Sequence, residues 1–295
     1  MSSSIHLSVM ADEVIEWLQP KPGQILVDGT LGGGGHTRLL AERVGPEGRV
    51  LGLDRDPAAI AAFSASIDSR IEPIHANYID LDQILAARQI PAIDGFLLDL
   101  GLSSDQLADT TRGFSFESAG SLDQRFDPTM GEPAWRLLER MDERALADMI
   151  FQFGEERFSR RIARRIVQTR RQHPIRTAAH LAQLVRSCVP RSRGHRIDPA
   201  TRTFQALRIA VNSELQTLQE ALAKLPELLR PGGRWVIISF HSLEDRLVKR
   251  AFREDPRLEN LTRKPIRPGK IEWATNPRSR SAKLRAAQRL ADGNA

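Results

Sequence analysis

Cysteine is almost missing from this chain of 295 residues: Cys188 stands alone. A single thiol excludes intrachain disulfides and thiolate metal clusters, and it fits a reducing, cytoplasmic setting. Long apolar runs are missing as well. No stretch approaches the ~18 apolar residues of a membrane span, so no membrane association is expected. The opening Met-Ser-Ser-Ser-Ile-His has neither the basic nor the apolar region of a secretory signal. Seven histidines are scattered, no two of them three or four residues apart, so no metal site is expected. Rings are scarce too, with one tyrosine, Tyr78, and four tryptophans.

Acidic residues are missing from particular blocks. Between Arg157 and Arg176 lie eight arginines and no acid. Arg186 to Arg208 adds six more against Asp198 alone, and residues 263–289 hold nine lysines and arginines against Glu272. The first hundred residues are acid-rich, so a net charge of +6 conceals strong segregation. Segregated cationic blocks fit contact with nucleic-acid phosphates. Solvated helix faces are the plainer alternative. Arg157, Arg160, Arg161, Arg164 and Arg165 recur at three- and four-residue spacing and are the foremost candidates for contact with nucleic-acid phosphates.

What is present concentrates at residues 25–36, Ile-Leu-Val-Asp-Gly-Thr-Leu-Gly-Gly-Gly-Gly-His. An apolar strand runs into Asp28, then into Gly32 to Gly35, and a helix follows. Glycines at such a turn let the backbone approach a ligand closely. Twenty-two positions beyond Gly32, a second strand ends in Asp54. That spacing brings a carboxylate to a ribose hydroxyl pair in a doubly wound sheet. A nucleoside-bearing cofactor is therefore expected, whereas the loop alone is also compatible with a tight turn that binds nothing. Asp28, ahead of the glycines, would repel a pyrophosphate. It suits a ligand with a cationic amino-acid moiety, which S-adenosylmethionine has and NAD lacks.

The remaining pattern is a βαβ series with one interruption. After an amphipathic helix over 8–18, strands are expected near 25–28, 49–54, 71–75 and 93–99, with helices near 36–44, 57–66 and 80–89. The strands are apolar runs, as in a parallel sheet covered on both faces. The alternation then breaks into a loop-rich stretch, Ser103 to Thr129, and helices near 142–152, 156–171 and 177–188. It resumes with a helix near 204–229, a turn at 230–233, the strand 234–240, a helix over 242–253 and weaker strands near 258–263 and 282–290. The fold class is α/β, a Rossmann-like sheet with an inserted all-helical domain. Residues 1–104 and 209–295 form the cofactor domain, and 105–208 form the insert.

Several motifs carry a family likeness. They are His6-x-Ser8-Val9-Met10, Asp28-Gly-Thr-Leu-Gly-Gly-Gly-Gly-His-Thr37, Asp54-Arg-Asp-Pro57, Asp99-Leu-Gly-Leu-Ser-Ser104 and Arg112-Gly-Phe-Ser-Phe116. Thr203-Phe-Gln-Ala-Leu-Arg208 with Asn212-x-Glu214-Leu215, Ser239-Phe-His-Ser-Leu-Glu-Asp-Arg246 and Asn276-Pro-Arg-Ser-Arg-Ser-Ala-Lys-Leu-Arg285 complete the set. Together they resemble the RsmH (MraW) family of class I S-adenosylmethionine-dependent methyltransferases, in order and over nearly the whole chain. The resemblance implies N4-methylation of a cytidine in the decoding region of 16S ribosomal RNA, with small-subunit RNA, and the small ribosomal subunit itself, as partner. A homodimer stays open. Carried over by position, the cofactor contacts are Gly34, Gly35, His36, Asp54 on the ribose, Tyr78 beside the adenine, Asp99 and Gln106. Tyr78 stands where the family more often has phenylalanine, and Ser121-Leu-Asp-Gln-Arg-Phe126 departs from the usual Pro-Leu-Asp-Met-Arg-Met. Two rival readings are a methyltransferase for another nucleic acid and an RNA-binding ribosome-assembly factor that uses the cofactor fold as a scaffold.

Methyl transfer to cytosine N4 calls for acceptors on the amine protons, because its lone pair is delocalised into the ring. Asp99 ends the fourth strand, so it either meets the target amine or orients the cofactor alone. His241 follows the fifth strand and can take up a proton, or it can cap the helix that follows. Asp245 is a similar case. Candidate rings to clamp a base drawn out of its stack are Phe240, Phe204, Phe114, Phe116 and Trp273. The long Ser103–Thr129 stretch suits a lid ordered by substrate, or a segment without function.

Overall fold

The structure, a computed structural model, describes residues 8–64, 68–190 and 198–291. His6, Arg191, Arg193, Arg196 and the end of the helix expected over 57–66 lie outside the described residues. The chain divides into two units: one joins residues up to Ser103 with those from Leu215 onward, and the other is Ser104–Glu214.

The first unit is built on seven strands: β1 Ile25–Asp28, β2 Arg49–Asp54, β3 Ile71–His75, β4 Ile93–Asp99, β5 Leu229–Ser239, β6 Leu258–Asn260 and β7 Lys283–Arg289. Their order is β3-β2-β1-β4-β5-β7-β6. The first five run parallel, and β7 lies antiparallel between β5 and β6. The apolar runs read from sequence have a direct cause, because both faces are buried. Val27, Leu51, Phe96, Leu98, Trp235 and Ile237 point into one core layer. Their neighbours Leu26, Val50, Leu97, Val236 and Ile238 point into the other, beneath the helices Ala11–Leu18 and Gly35–Val44. Within the first layer Phe96 stacks on Trp235 at 5.4 Å, and Phe252 meets Trp235 tilted at 5.6 Å.

Three sequence expectations need correction in these elements. The turn expected at 230–233 is absorbed into β5 as a register shift, with Ile93 facing Leu229 but Gly95 facing Arg234. The helix expected over 204–229 is broken: Thr201–Asn212 ends at Ser213, whose φ of 52° is left-handed, and Glu214–Lys224 starts afresh before a 3₁₀ turn at Leu225–Leu228. The helix expected over 80–89 begins with a 3₁₀ turn at Tyr78–Asp80 and continues as Leu81–Ala87.

The second unit packs the helices Ala134–Arg140, Glu143–Gly154, Ser159–Arg170, Ala178–Cys188 and Thr201–Asn212 around one apolar cluster, and also holds the short helix Ser104–Ala108. Its long loop is not a free lid. Leu122 is fully buried, Leu122 N donates to the Arg176 carbonyl, and the Arg112 guanidinium donates to the Arg125 and Phe126 carbonyls at 2.7 Å each. Asn212 closes the arrangement. Its Nδ2 donates to the Gln124 carbonyl and its Oδ1 accepts Phe126 N–H, both at 2.7 Å. The atypical Ser121–Phe126 segment is therefore locked from within its own unit.

Candidate active site

Three neighbouring strands, β2, β1 and β4, end in aspartates: Asp54, Asp28 and Asp99. Strand order reverses between β1 and β4, so this edge is the switch point where doubly wound sheets bind ligands. Asp28 is buried and structural. It accepts Thr37 Oγ1–H at 2.7 Å and Thr30 N–H at 3.1 Å, and burial raises its pKa against those bonds. Thr30 in turn accepts the Asp99 N–H at 2.7 Å, which fastens the loop after β1 to the end of β4.

The glycine loop is held by the acid beside it. Asp54 Oδ2 accepts Gly32 N–H and its Oδ1 accepts Asp56 N–H, each at 2.8 Å. Burial, partly offset by these two bonds, pushes Asp54 up to about 6. Gly34 caps the helix Gly35–Val44 with φ 75°, and a Cβ there would collide with the Phe63 ring. The turn accordingly presents bare backbone at the start of that helix. A Cβ on Gly29 would lie 2.6 Å from Leu98 Cδ2 and 3.0 Å from the Tyr78 Cβ, so Tyr78 packs directly beside the loop.

Asp99 completes the edge. Its Oδ2 lies 3.8 Å from His36 Nε2, and its Oδ1 is buried without a hydrogen bond among the described residues. Burial raises Asp99 to about 7; Arg278 pulls it down, while Asp28, Glu244 and Glu272 push it further up. Arg278 also donates to the Leu102 carbonyl, bracing the turn after Asp99. Phe240 lies across the same turn, its ring 3.0 Å from a Cβ placed on Gly101.

Gly34, Gly35, His36, Asp54, Tyr78 and Asp99 thus gather at one sheet edge. Gln106 lies in the second unit, buried on the helix Ser104–Ala108. His241 is the cap of the helix Ser242–Glu254. Its Nδ1 accepts Glu244 N–H at 3.3 Å, its Nε2 sits 3.0 Å from Glu244 Oε1, and Glu244 Oε2 accepts the Phe240 N–H at 2.8 Å. Asp245 pairs with Lys283 at 3.0 Å and Arg285 at 2.7 Å. Among the ring candidates, Phe114, Phe116 and Phe204 pack inside the second unit, Phe114 on Phe126 and Phe116 on Phe204. Phe240 stays at the edge, and Trp273 is exposed. The five candidate arginines are all exposed around the helix Ser159–Arg170, opposite buried Ile162, Ala163, Ile166 and Val167. Thr30, Phe63, Glu244 and Arg278 carry site geometry that sequence reading left without a role. Their only prior signal was membership of the quoted motifs or proximity to the loop.

Carboxylates crowded on one edge, one with an unsatisfied buried oxygen, suit a nucleoside that bears positive charge. Together with the strand order, they fit a class I S-adenosylmethionine-dependent methyltransferase. The model of the MraW methylase family matches residues 3–290. Ribosomal RNA small subunit methyltransferase H of Rhodopirellula baltica is 51% identical, covering 97% of this chain and 91% of that protein. The protein of the same name from Thermomicrobium roseum is 48% identical, covering 98% and 95%. A solved structure of a putative rRNA methylase from Clostridium thermocellum has 15% identity and a TM-score of 0.46, covering 98% of this chain and all of its own. The chain belongs to the MraW methylase family, and S-adenosylmethionine is its methyl donor.

Proposed function

We propose that the enzyme methylates the exocyclic N4 of a cytidine in the decoding region of 16S ribosomal RNA, within the small ribosomal subunit. The observation that carries this reading is Asp99 Oδ1, a buried acceptor with no hydrogen bond among the described residues, at the carboxyl end of β4. Two relatives that match nearly the whole chain bear the name ribosomal RNA small subunit methyltransferase H, which supports the choice of RNA.

S-adenosylmethionine, when bound, supplies a methyl group made electrophilic by its sulfonium. Asp54 would offer its remaining lone pairs to ribose hydroxyls, Tyr78 would flank the adenine, and the Gly34–Gly35 backbone would admit the amino-acid end. Asp99 either accepts an N4 proton of the target cytosine or fixes the cofactor's cationic end. In the first role it concentrates the amine lone pair and stabilises the positive charge that grows on nitrogen. The bound group would supply the methyl carbon and keep the electron pair of its broken sulfur–carbon bond, so the protein's part would be to receive the one proton that N4 gives up. His241 is the second candidate for that proton, provided Nε2 parts from Glu244. The exposed arginines of the helix Ser159–Arg170 hold RNA phosphates.

The test is direct. Purified protein, methyl-labelled S-adenosylmethionine and small subunits lacking the modification are incubated beside naked ribosomal RNA and DNA, and nucleosides are read by mass spectrometry. Labelled N4-methylcytidine from subunits is expected. Cofactor binding without label on any nucleic acid would overturn the catalytic reading in favour of an assembly factor.

A further inference from the structure

The motif running from Asn276 to Arg285 has only part of its length explained so far. Its second half is β7, where Lys283 and Arg285 pair with Asp245. The segment ahead of it, residues 263–281, carries the helix Lys270–Thr275 and the 3₁₀ turn Pro277–Ser281. Two hydrogen bonds fasten this segment, one to the start of the helix Ala11–Leu18 and one to the turn after Asp99. Glu272 Oε1 accepts Met10 N–H at 2.9 Å, and Arg278 donates to the Leu102 carbonyl. Both Glu272 and Arg278 are close enough for their charges to act on Asp99.

The outward side of the segment has a different character. Ile271 is 84% exposed and Trp273 is 43% exposed, although large apolar side chains at such exposure gain nothing for folding. Arg263, Lys264, Arg267, Lys270 and Arg280 are exposed around them and make no hydrogen bond or ion pair among the described residues. The one acid in residues 263–280, Glu272, is engaged with Met10. Fixed backbone, one projecting indole and uncompensated cations are the elements with which proteins hold single strands: the ring stacks a base, and the cations follow the phosphates.

We infer that residues 263–280 form a platform for single-stranded RNA next to the target nucleotide, with Trp273 stacking a flanking base and Lys264, Arg267 and Lys270 contacting phosphates. This rests on the RNA-methyltransferase reading above. A membrane surface fits less well. The helix has only six residues, and Ile271 and Trp273 are its only large apolar side chains, too little for an interfacial helix.

The test compares wild type with Trp273→Ala, Trp273→Phe and the triple variant Lys264→Gln/Arg267→Gln/Lys270→Gln, each as full-length protein. Turnover on small subunits, equilibrium binding to a 16S decoding-region oligonucleotide and cofactor binding are measured in parallel. Trp273→Ala is expected to raise KM and Kd for RNA about tenfold, the loss of one base stack, with kcat and cofactor affinity unchanged. Trp273→Phe should recover most of that loss. The triple variant should reduce the slope of log Kd against log salt by about 2, near 0.7 per single-strand phosphate contact. Unaltered RNA binding and salt slope in all variants, with a wild type that methylates RNA, overturns the platform alone. A wild type that labels no RNA overturns the underlying reading, and the binding data then judge the platform by themselves. Binding to phosphatidylglycerol vesicles that Trp273→Ala abolishes, with RNA binding intact, also overturns it.

Discussion

Asp54 holds Gly32: the carboxylate at the end of β2 accepts the backbone N–H of the first loop glycine at 2.8 Å. The side chain proposed to meet the ribose is therefore also the one that shapes the loop. A carboxylate has about four acceptor positions, and the bonds to Gly32 and Asp56 leave two for hydroxyls. Asp54→Asn exchanges one oxygen for a donor and cannot satisfy both backbone N–H groups and both hydroxyls. We expect cofactor affinity to fall about 10- to 100-fold, equivalent to one or two charged hydrogen bonds. Calorimetric titration with S-adenosylmethionine measures it, and a Kd unchanged by the substitution would remove Asp54 from the site.

The raised Asp99 pKa predicts a pH dependence whose sign can be worked out. Its folded pKa is raised from 3.8 to about 7, so between those values the native state binds more protons than the unfolded chain. Stability contributed by this group is therefore greatest in acid and declines as pH rises toward 7. Asp99→Asn should raise the melting temperature relative to wild type at pH 8, and the difference should vanish near about pH 4. Activity runs the opposite way. The ionised carboxylate is the form that accepts a hydrogen bond, so kcat/KM should rise through neutral pH and lose that limb in Asp99→Asn. Arg278 is the cation that opposes the upward shift, and Arg278→Gln should move the midpoint to higher pH while Arg278→Lys moves it less. A pH profile identical in wild type and Arg278→Gln would separate the two residues.

Gly34 is irreplaceable for two separable reasons. Its φ of 75° costs a side-chain-bearing residue about 1–2 kcal/mol, and a Cβ would also collide with the Phe63 ring, which Arg38 covers at 4.7 Å. Gly34→Ala should lower the melting temperature by several degrees, at roughly 2–4 °C per kcal/mol, and weaken cofactor binding. Adding Phe63→Ala removes the collision but not the strained φ. The double variant should therefore bind cofactor better than Gly34→Ala and still below Phe63→Ala alone. Additive losses would show that the ring does not confine the loop.

Legibility from sequence followed the range over which each feature is determined. β1, β2, β4 and the second half of β5 were readable because two buried faces demand apolar runs, and the glycine loop was readable because its conformation demands its composition. The break at Ser213 was not, since a left-handed serine carries no glycine or proline signal. The short helices Ser104–Ala108, Ala134–Arg140 and Lys270–Thr275 were also passed over, each too brief for a 3.6-residue period to register. Within the site, Asp28, Asp54 and Asp99 stood at strand ends and could be found. The part played by Arg278 depends on Leu102, 176 positions away, and only the fold brings the two together. Asn212 could likewise be quoted as a motif residue, but not as the clasp on Gln124 and Phe126.

That clasp is one of the contacts that order the long loop of the second unit. Asn212→Ala would remove the bonds to the Phe126 N–H and the Gln124 carbonyl and the bond to the Arg208 carbonyl at 2.9 Å. Each unsatisfied buried group costs about 1–3 kcal/mol. Limited proteolysis should show new cleavage between Arg112 and Thr129 in this variant, with cofactor affinity preserved. Unaltered protection of that stretch would mean that buried Leu122 and Arg112 suffice to hold it.

The arginine helix supplies the last test, and its members are not equivalent. Arg164 is partly compensated by Glu143 at 3.4 Å, and Arg157 lies over the Phe158 ring at 4.7 Å. Arg161 and Arg165 are exposed, one helical turn apart, and make no ion pair or hydrogen bond among the described residues. Arg161→Gln/Arg165→Gln should therefore leave folding and cofactor binding unchanged while flattening the salt dependence of RNA binding by about 1.5, the share of two phosphate contacts. A paired arginine loses its carboxylate on meeting a phosphate, so Arg164→Gln should change the slope less than either neighbour taken alone. Equal effects at Arg164 and Arg165 would mean that the Glu143 pair is too weak to matter, in keeping with its exposure. No change in slope for the double variant would turn this helix back into an ordinary solvated face.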